Sequence, residues 1–528
     1  MKKIGEMYFG ATDANNEIRK IGEDGLRDLF QLAPGLDVES VLEGDVTYIR
    51  GDKGTGKTMI LRYIEMVAKQ RSCPSRFIRY RRDFAENDLK AMRQSANNIS
   101  REEYVADQLS NSEAKDTNYI LGWQVYLIKE IVELVNSTES KLFDRSSHEW
   151  RNLNKILNEA YASQSQSLVK QILPKMKKGR LSLNAKHLEL DLEFSSNNED
   201  GLNISFSEFA KYVIDLYSKV PRLNDTCPMY LFIDEIELHY GKDKEYKRDL
   251  RLVGDLVMAS NYLNDISREL SSPVYIIIAL RNEIFRSSVN LGCELNKPIE
   301  DYGIQIKWGN PNDWDNNPLL EMIERRVLRN LDNSDPRNDD VWGSVFPNEV
   351  DGIPIKEYIL KQTWQKPRDI IRLLMILRSN NQMQYAFSER SFFDIRRDYS
   401  EKAWREIKEE LTAVVQNETI EALSKVLNGM ISPFRIEDLT EKINQDAENY
   451  SVVEKLAELY KTPELISLLF KFEIIGNISS NSKSSGRARF SAYGEDEPDL
   501  SGLFVVHYPL RSAFDIRVRH SAEGFLIK

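Results

Sequence analysis

The chain is poor in the two residue types that most often build disulfide and zinc sites. It has only three cysteines in 528 residues, Cys73, Cys227 and Cys293, which lie far apart and form no C-x-x-C pair. Its five histidines show no metal-ligand spacing. Because disulfide frameworks and structural zinc sites need closely patterned cysteine or histidine, we expect neither, and this scarcity fits a reducing cytoplasm.

The chain also lacks a long hydrophobic run. The longest apolar stretch covers residues 274–280, which is far short of the roughly 20 residues that cross a bilayer. The opening sequence MKKIGE contains no apolar segment of the kind that secretory signal peptides need. We therefore expect a cytoplasmic protein without a membrane span.

An excess of positive charge is missing as well. Lys and Arg number 72 against 83 Asp and Glu, a formal net charge of −11, which argues against a surface that is basic all over. One local basic run remains, formed by Lys170, Lys175, Lys177, Lys178 and Arg180. This run is either a solvated face or a contact for a nucleic acid or an acidic partner. We therefore expect weak nucleic-acid binding at most.

A glycine-rich segment at residues 51–58 is the most informative feature that the chain does contain. Gly51, Gly56, Lys57 and Thr58 satisfy G-x-x-x-x-G-K-[ST], between an apolar run and a helical pattern. In this strand–loop–helix context backbone N–H groups surround phosphates, the lysine reaches the β- and γ-phosphates, and the threonine holds Mg²⁺. We predict that ATP and Mg²⁺ bind at Gly51, Asp52, Lys53, Gly54, Thr55, Gly56, Lys57, Thr58 and Met59.

A second apolar run, at residues 229–235, ends in two carboxylates. Such a run is typical of a central parallel strand that is buried on both faces and whose last residues reach the ligand edge of the sheet. We predict that Asp234 joins the Mg²⁺ shell and that Glu235 polarises the attacking water, because phosphoryl transfer depends on positioning and charge stabilisation. Glu237 and His239, just beyond, are expected to be solvated loop residues.

Three more strands complete the predicted core. They cover residues 76–81, 273–280 and 303–308. Asn282, shortly after the second of these, is the candidate sensor of the γ-phosphate, and Arg281 is the competing choice. Five strands that alternate with helical patterns indicate a doubly wound α/β fold with a parallel sheet. A largely helical insertion is predicted at residues 84–227.

Past the sheet, Arg368 is predicted in the first turn of a helix that begins near Pro367. A cation at a helix start opposes the helix dipole, whereas contact with an anion such as the γ-phosphate would explain it. The order of the glycine-rich loop, the acidic strand, Asn282 and the Lys-Pro-Arg helix start resembles the AAA+ initiator and STAND ATPases, which include phage-defence ATPases. The resemblance implies a P-loop fold in which ATP and Mg²⁺ are handled by Lys57, Thr58, Asp234, Glu235, Asn282 and Arg368.

The motifs and the resemblance together predict four segments. They are an N-terminal segment near the nucleotide at residues 1–40, an ATPase core at 41–310, a helical lid at 311–385 and a winged-helix-like domain at 386–528. In the proteins that the chain resembles, the stretch that matches residues 8–17 often lies near the adenine. No arginine finger that acts on a neighbouring copy is identifiable, and the candidates are Arg286, Arg325 and Arg326.

The C-terminal segment has the pattern of a winged helix. Its predicted elements are helices at 417–430, 436–444 and 463–472 and hairpin strands at 474–478 and 487–493. Lys483, Arg487 and Arg489 on the wing could contact phosphates, or the domain could serve only for packing. The acidic residues 495–499 oppose tight DNA binding there. His507 is predicted to be a packed core residue.

These features favour an ATP-binding and ATP-hydrolysing molecular switch that controls a protein effector or an assembly partner, and self-assembly into a homo-oligomer stays open. The resemblance implies bacterial antiviral defence as one context. The alternative is a DNA-binding initiator or transposition-type regulator that uses the winged helix. A third possibility is a nucleotide-binding scaffold with little turnover.

Overall fold

The computed structural model describes most of the chain. The described residues are 1–80, 119–161, 173–174, 180–183, 202–223, 227–236, 243–309, 316–412, 414–478, 488–491 and 497–518. Several predicted features lie outside them, namely Glu237, His239, Lys483, Arg487 and the basic run from Lys170 to Lys178. Among the described residues, no helix combines the length and the apolar character that crossing a membrane requires.

The first 306 residues contribute nine described α-helices and seven described strands. The helices are α1 (Ala14–Leu29), α2 (Val38–Leu42), α3 (Lys57–Gln70), α4 (Ile120–Asn136), α5 (His148–Tyr161), α6 (Phe206–Lys219), α7 (Asp243–Glu269), α8 (Asn282–Asn290) and α9 (Asn296–Tyr302). The strands are β1 (Tyr48–Gly51), β2 (Ser75–Arg79), β3 (Arg180–Leu183), β4 (Leu202–Ser205), β5 (Met229–Asp234), β6 (Val274–Arg281) and β7 (Gly303–Gln305).

The rest of the described chain is mainly helical. Its helices are α10 (Pro318–Leu328), α11 (Val341–Val345), α12 (Ile355–Gln362), α13 (Pro367–Asn380), α14 (Glu389–Leu411), α15 (Asn417–Leu427), α16 (Ile436–Ala447), α17 (Ser451–Leu459) and α18 (Thr462–Lys471). Its strands are β8 (Glu349–Val350), β9 (Ile353–Pro354), β10 (Ile431–Ser432), β11 (Ile475–Ile478), β12 (Leu503–Val506) and β13 (Arg517–Val518).

A five-stranded parallel sheet forms the α/β part of the protein. Its strand order is β2-β5-β6-β1-β7, and every described pairing is parallel. Each strand that the apolar runs predicted is present, and all six residues of β5 are buried, as a central strand requires. The sheet places β6 between β1 and β5. Because parallel strands end at the same edge, the carboxyl ends of β1, β5 and β6 all reach one side of the sheet.

The chain divides into two compact units. The first, here called the sheet unit, consists of Gly35–Gly51 and Lys57–Ile306. The second, here called the helical unit, consists of Met1–Pro34, Asp52–Gly56 and Lys307–Lys528.

The core of the sheet unit includes helices from the predicted insertion. Twelve of the 17 residues of α4 are buried, and the indole Nε1 of Trp123 donates a 2.9 Å hydrogen bond to the Leu252 carbonyl on α7. At the start of α6, Ser205 Oγ accepts a bond from the Glu208 N–H, and the Glu208 carboxylate accepts one from the Ser205 N–H. This reciprocal cap explains why the helix begins there. The predicted helices near 119–135 and 205–217 are confirmed.

The expectation that the chain has no disulfide is wrong in this structure. Cys73 and Cys227 form a disulfide with a Cα–Cα distance of 5.4 Å, although 154 residues separate them. Cys73 precedes β2 and Cys227 precedes β5, and these strands are neighbours in the sheet. Parallel pairing therefore brings the two cysteines together at the amino ends of the strands, which spacing along the chain could not reveal.

The C-terminal part of the helical unit differs from the predicted pattern in two places. Helix α17 lies between the second and third predicted helices. The strand that pairs antiparallel with β11 is β12, whereas Arg489 makes a single bridge to Asn477. The sequence of β12, LFVV, is more apolar than residues 487–493 and suits a strand whose last three residues are buried.

Candidate functional site

The glycine-rich segment joins β1 to α3, which confirms the predicted strand–loop–helix context. Gly54 and Gly56 have φ angles of +88° and +87°, a conformation that glycine adopts without strain. Within the described part of the chain, the N–H groups of Lys53, Gly54 and Gly56 donate to no acceptor. Three backbone donors of one loop are therefore available to an anion.

The carbonyl groups of the same loop are bound by residues of the helical unit. The indole of Trp308 donates a 2.8 Å hydrogen bond to the Thr55 carbonyl, and the Arg368 N–H donates a 3.3 Å bond to the Gly54 carbonyl. The Thr55 hydroxyl donates to the Asp52 carbonyl at 2.8 Å. These bonds fix the shape of the loop and occupy its carbonyls rather than its N–H groups.

The first turn of α3 carries the candidate phosphate and Mg²⁺ side chains. Lys57 Nζ donates a 2.8 Å hydrogen bond to the Gly51 carbonyl, so the ammonium lies at the end of β1. Thr58 and Met59 follow in the same turn, which contains no acidic residue. The positive end of the helix dipole is therefore not neutralised from within the helix.

Two carboxylates end β5 at the same edge of the sheet. Asp234 is 4 % exposed, and no described residue donates a hydrogen bond to its Oδ2. Glu235 follows with a φ of +57°, an uncommon conformation for a residue with a side chain, which costs energy and often marks functional positions. A buried carboxylate with an unsatisfied oxygen is unfavourable unless something neutralises it.

The end of β6 brings both candidate sensor residues to this edge. Arg281 lies opposite Gly51 in the register of β6 with β1, and it forms a 3.6 Å ion pair with Glu283. Asn282 begins α8 and is 5 % exposed. Of the two sensor candidates, Asn282 is a buried amide, whereas Arg281 already pairs with a carboxylate.

These residues fit a magnesium ion held together with phosphates. Mg²⁺ is usually bound by one or two carboxylates, waters and substrate phosphates rather than by a full protein cage. The unsatisfied Asp234 oxygen and the Thr58 hydroxyl match that chemistry. In the described ranges no group of three or more His, Cys, Asp or Glu side chains forms a separate metal cluster.

Arg368 has a carboxylate partner within the helical unit, and its predicted contact with the γ-phosphate stays a prediction. Helix α13 begins at Pro367, as predicted, but Arg368 Nη1 binds Glu406 Oε1 on α14 at 2.9 Å. A carboxylate of the protein therefore explains the cation at this helix start, without the γ-phosphate on which the prediction relied. Arg372, one turn later, binds the same Glu406 carboxylate and also Asp369.

A buried ion pair beside this helix start was not predicted. Lys366 Nζ lies 2.7 Å from Glu473 Oε2. Burial disfavours the charged ammonium, yet the nearby carboxylates of Glu473 and Asp52 hold the pKa of Lys366 above its ordinary value. The preceding Trp364 and Gln365 have φ angles of +44° and +51°. Two consecutive strained residues indicate that the surrounding contacts impose this turn.

Two of the arginine-finger candidates have partners within the helical unit. Arg326 is 5 % exposed and binds the buried Glu17 at 2.6 Å, so it is not accessible to a neighbouring copy. Glu17 also accepts 2.5 Å hydrogen bonds from the Tyr8 hydroxyl and the Ala11 N–H. Burial and this carboxylate raise the pKa of Tyr8 above its ordinary value. Arg325 is more exposed and pairs with Glu321 on its own helix.

One comparison with known proteins gives a match. Residues 317–408, which include α10 to most of α14, match the model of a family described as the FunZ-associated C-terminal helical domain. The matched part contains Lys366, Arg368, Arg372 and Glu406, but neither the glycine-rich loop nor the sheet. No curated protein matches the chain significantly. The comparison thus shows a likeness that is confined to the helical unit.

Proposed function

We propose that this protein is a P-loop ATPase of the AAA+/STAND type. Residues 51–58 bind the phosphates of ATP, and Mg²⁺ is held by Thr58 and Asp234. The support is the sheet order, in which β6 separates the loop strand β1 from the acidic strand β5. That order agrees with the added-strand sheets of the ATPases that the chain resembles.

The single observation that carries the proposal is the shared sheet edge. Gly51, Lys57 and the buried, incompletely paired Asp234 belong to elements whose ligand-facing ends coincide. Ligands of open α/β sheets bind outside the carboxyl ends of the strands. A structural salt bridge would satisfy Asp234, whereas a metal-binding role explains its unsatisfied oxygen.

In the proposed mechanism each residue has one task. Lys57 leaves the Gly51 carbonyl and binds the β- and γ-phosphates. Glu235, held in its strained conformation, orients the attacking water and accepts its proton, while Asn282 contacts the γ-phosphate. Thr58 and Asp234 would hold Mg²⁺, which would supply neutralisation of the phosphate charge.

The consequence of ATP binding is proposed to be a switch that controls a partner protein. The described residues outside the sheet edge show no second catalytic cluster that we can identify, so the output would be conformational. Bacterial antiviral defence is one context, which the resemblance alone suggests. Self-assembly of the chain is a further proposal.

Phosphate release from ATP tests the proposal. The Glu235→Gln variant should bind ATP as the wild type does and lose turnover, because the amide cannot accept the proton in the transition state. Asn282→Asp serves as a comparison at the neighbouring strand. Wild-type turnover by Glu235→Gln would show that another residue is the base, and no turnover by the wild type with any partner would contradict the ATPase proposal.

The second candidate is a DNA-binding regulator. Helices α16 and α18 followed by the antiparallel pair β11–β12 favour it, because a winged helix is built in this way. Acidic residues outnumber basic ones over residues 415–518, which opposes a phosphate contact. Strong stimulation of hydrolysis by duplex DNA at physiological salt, lost in Lys483→Glu/Arg487→Glu, would favour this function over a partner-controlled switch.

A further inference from the structure

Glu406 on α14 binds three cations from two other segments of the helical unit. Its carboxylate accepts from Arg368 at 2.9 Å and from Arg372, and Lys53 Nζ of the glycine-rich loop lies 3.7 Å away. The Glu406 side chain is 19 % exposed, so solvent screens these pairs less than it screens pairs on an open surface. One carboxylate thus joins the loop, α13 and α14.

Two more carboxylates on α14 face the same lysine. Lys53 Nζ lies 3.5 Å from Glu410 and 3.8 Å from Glu409. Positions 406, 409 and 410 share one helix face, where like charges repel each other unless cations lie between them. The Lys53 ammonium therefore stabilises this acidic face of α14 as well as the glycine-rich loop to which Lys53 belongs. We call Lys53, Arg368, Arg372, Glu406, Glu409 and Glu410 the α14 ion cluster.

The cluster leaves little positive charge for a phosphate. It contains three cations and three carboxylates, and Asp369 adds a fourth carboxylate through Arg372. A terminal phosphate that binds Arg368 must therefore compete with Glu406 for the same guanidinium. Arginine binds phosphate and carboxylate in the same forked geometry, so one partner replaces the other.

The opposite face of α14 belongs to the C-terminal core. Trp404 packs edge-to-face on Phe514 at 4.8 Å, and Ile407 lies in the same buried cluster. The Ser400 hydroxyl accepts a 2.8 Å hydrogen bond from the Ala513 N–H. Because a helix moves as a rigid element, a change at Glu406 reaches the core that Trp404 and Ile407 help to form.

We propose that the α14 ion cluster is a latch that a nucleoside triphosphate opens. The terminal phosphate takes Arg368 from Glu406, Glu406 loses one of its two arginine contacts, and the hold of α13 on α14 and the C-terminal core is weakened. The latch rests on the proposed ATP site, because it regulates that site. A nucleoside diphosphate lacks the competing group and leaves the latch closed.

Glu406→Gln tests the latch by removing the competing charge. The variant should bind a non-hydrolysable ATP analogue at least about fivefold more tightly than the wild type, the lower end for coupling between two sites. Its ADP affinity should change by less than about twofold, since a ligand that does not distinguish the two states shifts neither. Calorimetric titration measures both, and thermal unfolding shows whether the variant is folded.

Two matched variants control this measurement. Glu406→Asp keeps the charge and should resemble the wild type more than Glu406→Gln does. Glu401→Gln removes a carboxylate of the same helix that pairs with Arg397 outside the cluster, and it should leave the preference for ATP unchanged. Amide hydrogen exchange at residues 401–411 should rise with the analogue in the wild type and should already be high in nucleotide-free Glu406→Gln.

The outcomes separate the latch from the ATP site. If the wild type binds the analogue but Glu406→Gln binds it equally or more weakly, Glu406 positions Arg368 and the latch is wrong. If exchange at 401–411 does not respond to the analogue, the latch is wrong too. If the wild type binds neither nucleotide, the proposed ATP site fails and the latch fails with it.

Discussion

Replacing Asp234 with asparagine should stabilise the nucleotide-free protein and abolish Mg²⁺-dependent hydrolysis. Asp234 is buried, and no described residue donates to its Oδ2. A buried charge without its donors carries a desolvation cost that a neutral amide largely avoids. Replacing a carboxylate that has a structural role would instead lower the free energy of unfolding, because its loss would leave hydrogen-bond donors unpaired.

The size of the gain follows from one unsatisfied polar atom. Such an atom costs about 1–3 kcal/mol, so the free energy of unfolding of the sheet unit should rise by about that amount in Asp234→Asn. Hydrolysis should fall at least about hundredfold, because metal-held charge stabilisation contributes several kcal/mol to the transition state. The variant is thus expected to be more stable and inactive.

Hydrogen exchange of β5 and β6 amides, measured without nucleotide or Mg²⁺, reports the stability of the sheet unit alone. Glu65→Gln is the matched control in the same unit, because Glu65 is buried and both of its oxygens are paired, with Arg62 at 2.8 Å and with Lys69 at 2.7 Å. It should lose about 1–3 kcal/mol, as expected when charge-assisted hydrogen bonds are removed. If Asp234→Asn is destabilised like the control, Asp234 has a structural role and our reasoning is refuted.

Three further predictions concern buried groups. Burial raises the pKa of Asp255 to about 6, so this carboxyl destabilises the fold at pH 7. The free energy of unfolding gained by Asp255→Asn over the wild type should therefore shrink as the pH falls from 7 to about 4. Parallel curves of stability against pH for the two proteins would contradict this. Peptide mapping without reductant should find Cys73 linked to Cys227, and Cys73→Ser should cost about 2–4 kcal/mol under oxidising conditions; equal stability of the two proteins would argue against the bond. Glu17→Gln should cost about 3 kcal/mol in urea unfolding because it leaves the charge of Arg326 buried and unpaired, and a loss well below 1 kcal/mol would show that solvent reaches the site.

The sheet and its edge were predictable from the sequence because their signals are local. Apolar runs such as residues 229–235 predict buried strands by composition alone, and the glycine-rich loop predicts its own context. Glu235 was chosen for its chemistry, and its strained φ is a feature that only the structure reveals. The sequence predicted five parallel strands but not their order, and the position of β6 between β1 and β5 is known only from the structure.

What the sequence could not reveal depends on contacts between distant segments. The disulfide joins residues 154 apart, and the partner of Arg368 lies on a helix that begins 21 residues later at Glu389. Arg368 was predicted to contact the γ-phosphate, and the structure shows in addition a carboxylate of the chain itself in contact with this arginine. Strand pairing of β11 with β12 depends on the same long-range packing, which propensity does not encode.

The most direct test of the central claim is calorimetric titration of the wild type and Lys57→Ala with ATP and Mg²⁺. Lys57 Nζ lies beside the Gly51 carbonyl at the sheet edge, and charge-assisted hydrogen bonds contribute about 1.5–3 kcal/mol, so the variant should lose at least about tenfold in affinity. Wild-type binding that Lys57→Ala weakens in this way is the result that the account predicts. Equal affinity of the two proteins, or no binding by the wild type, would contradict it.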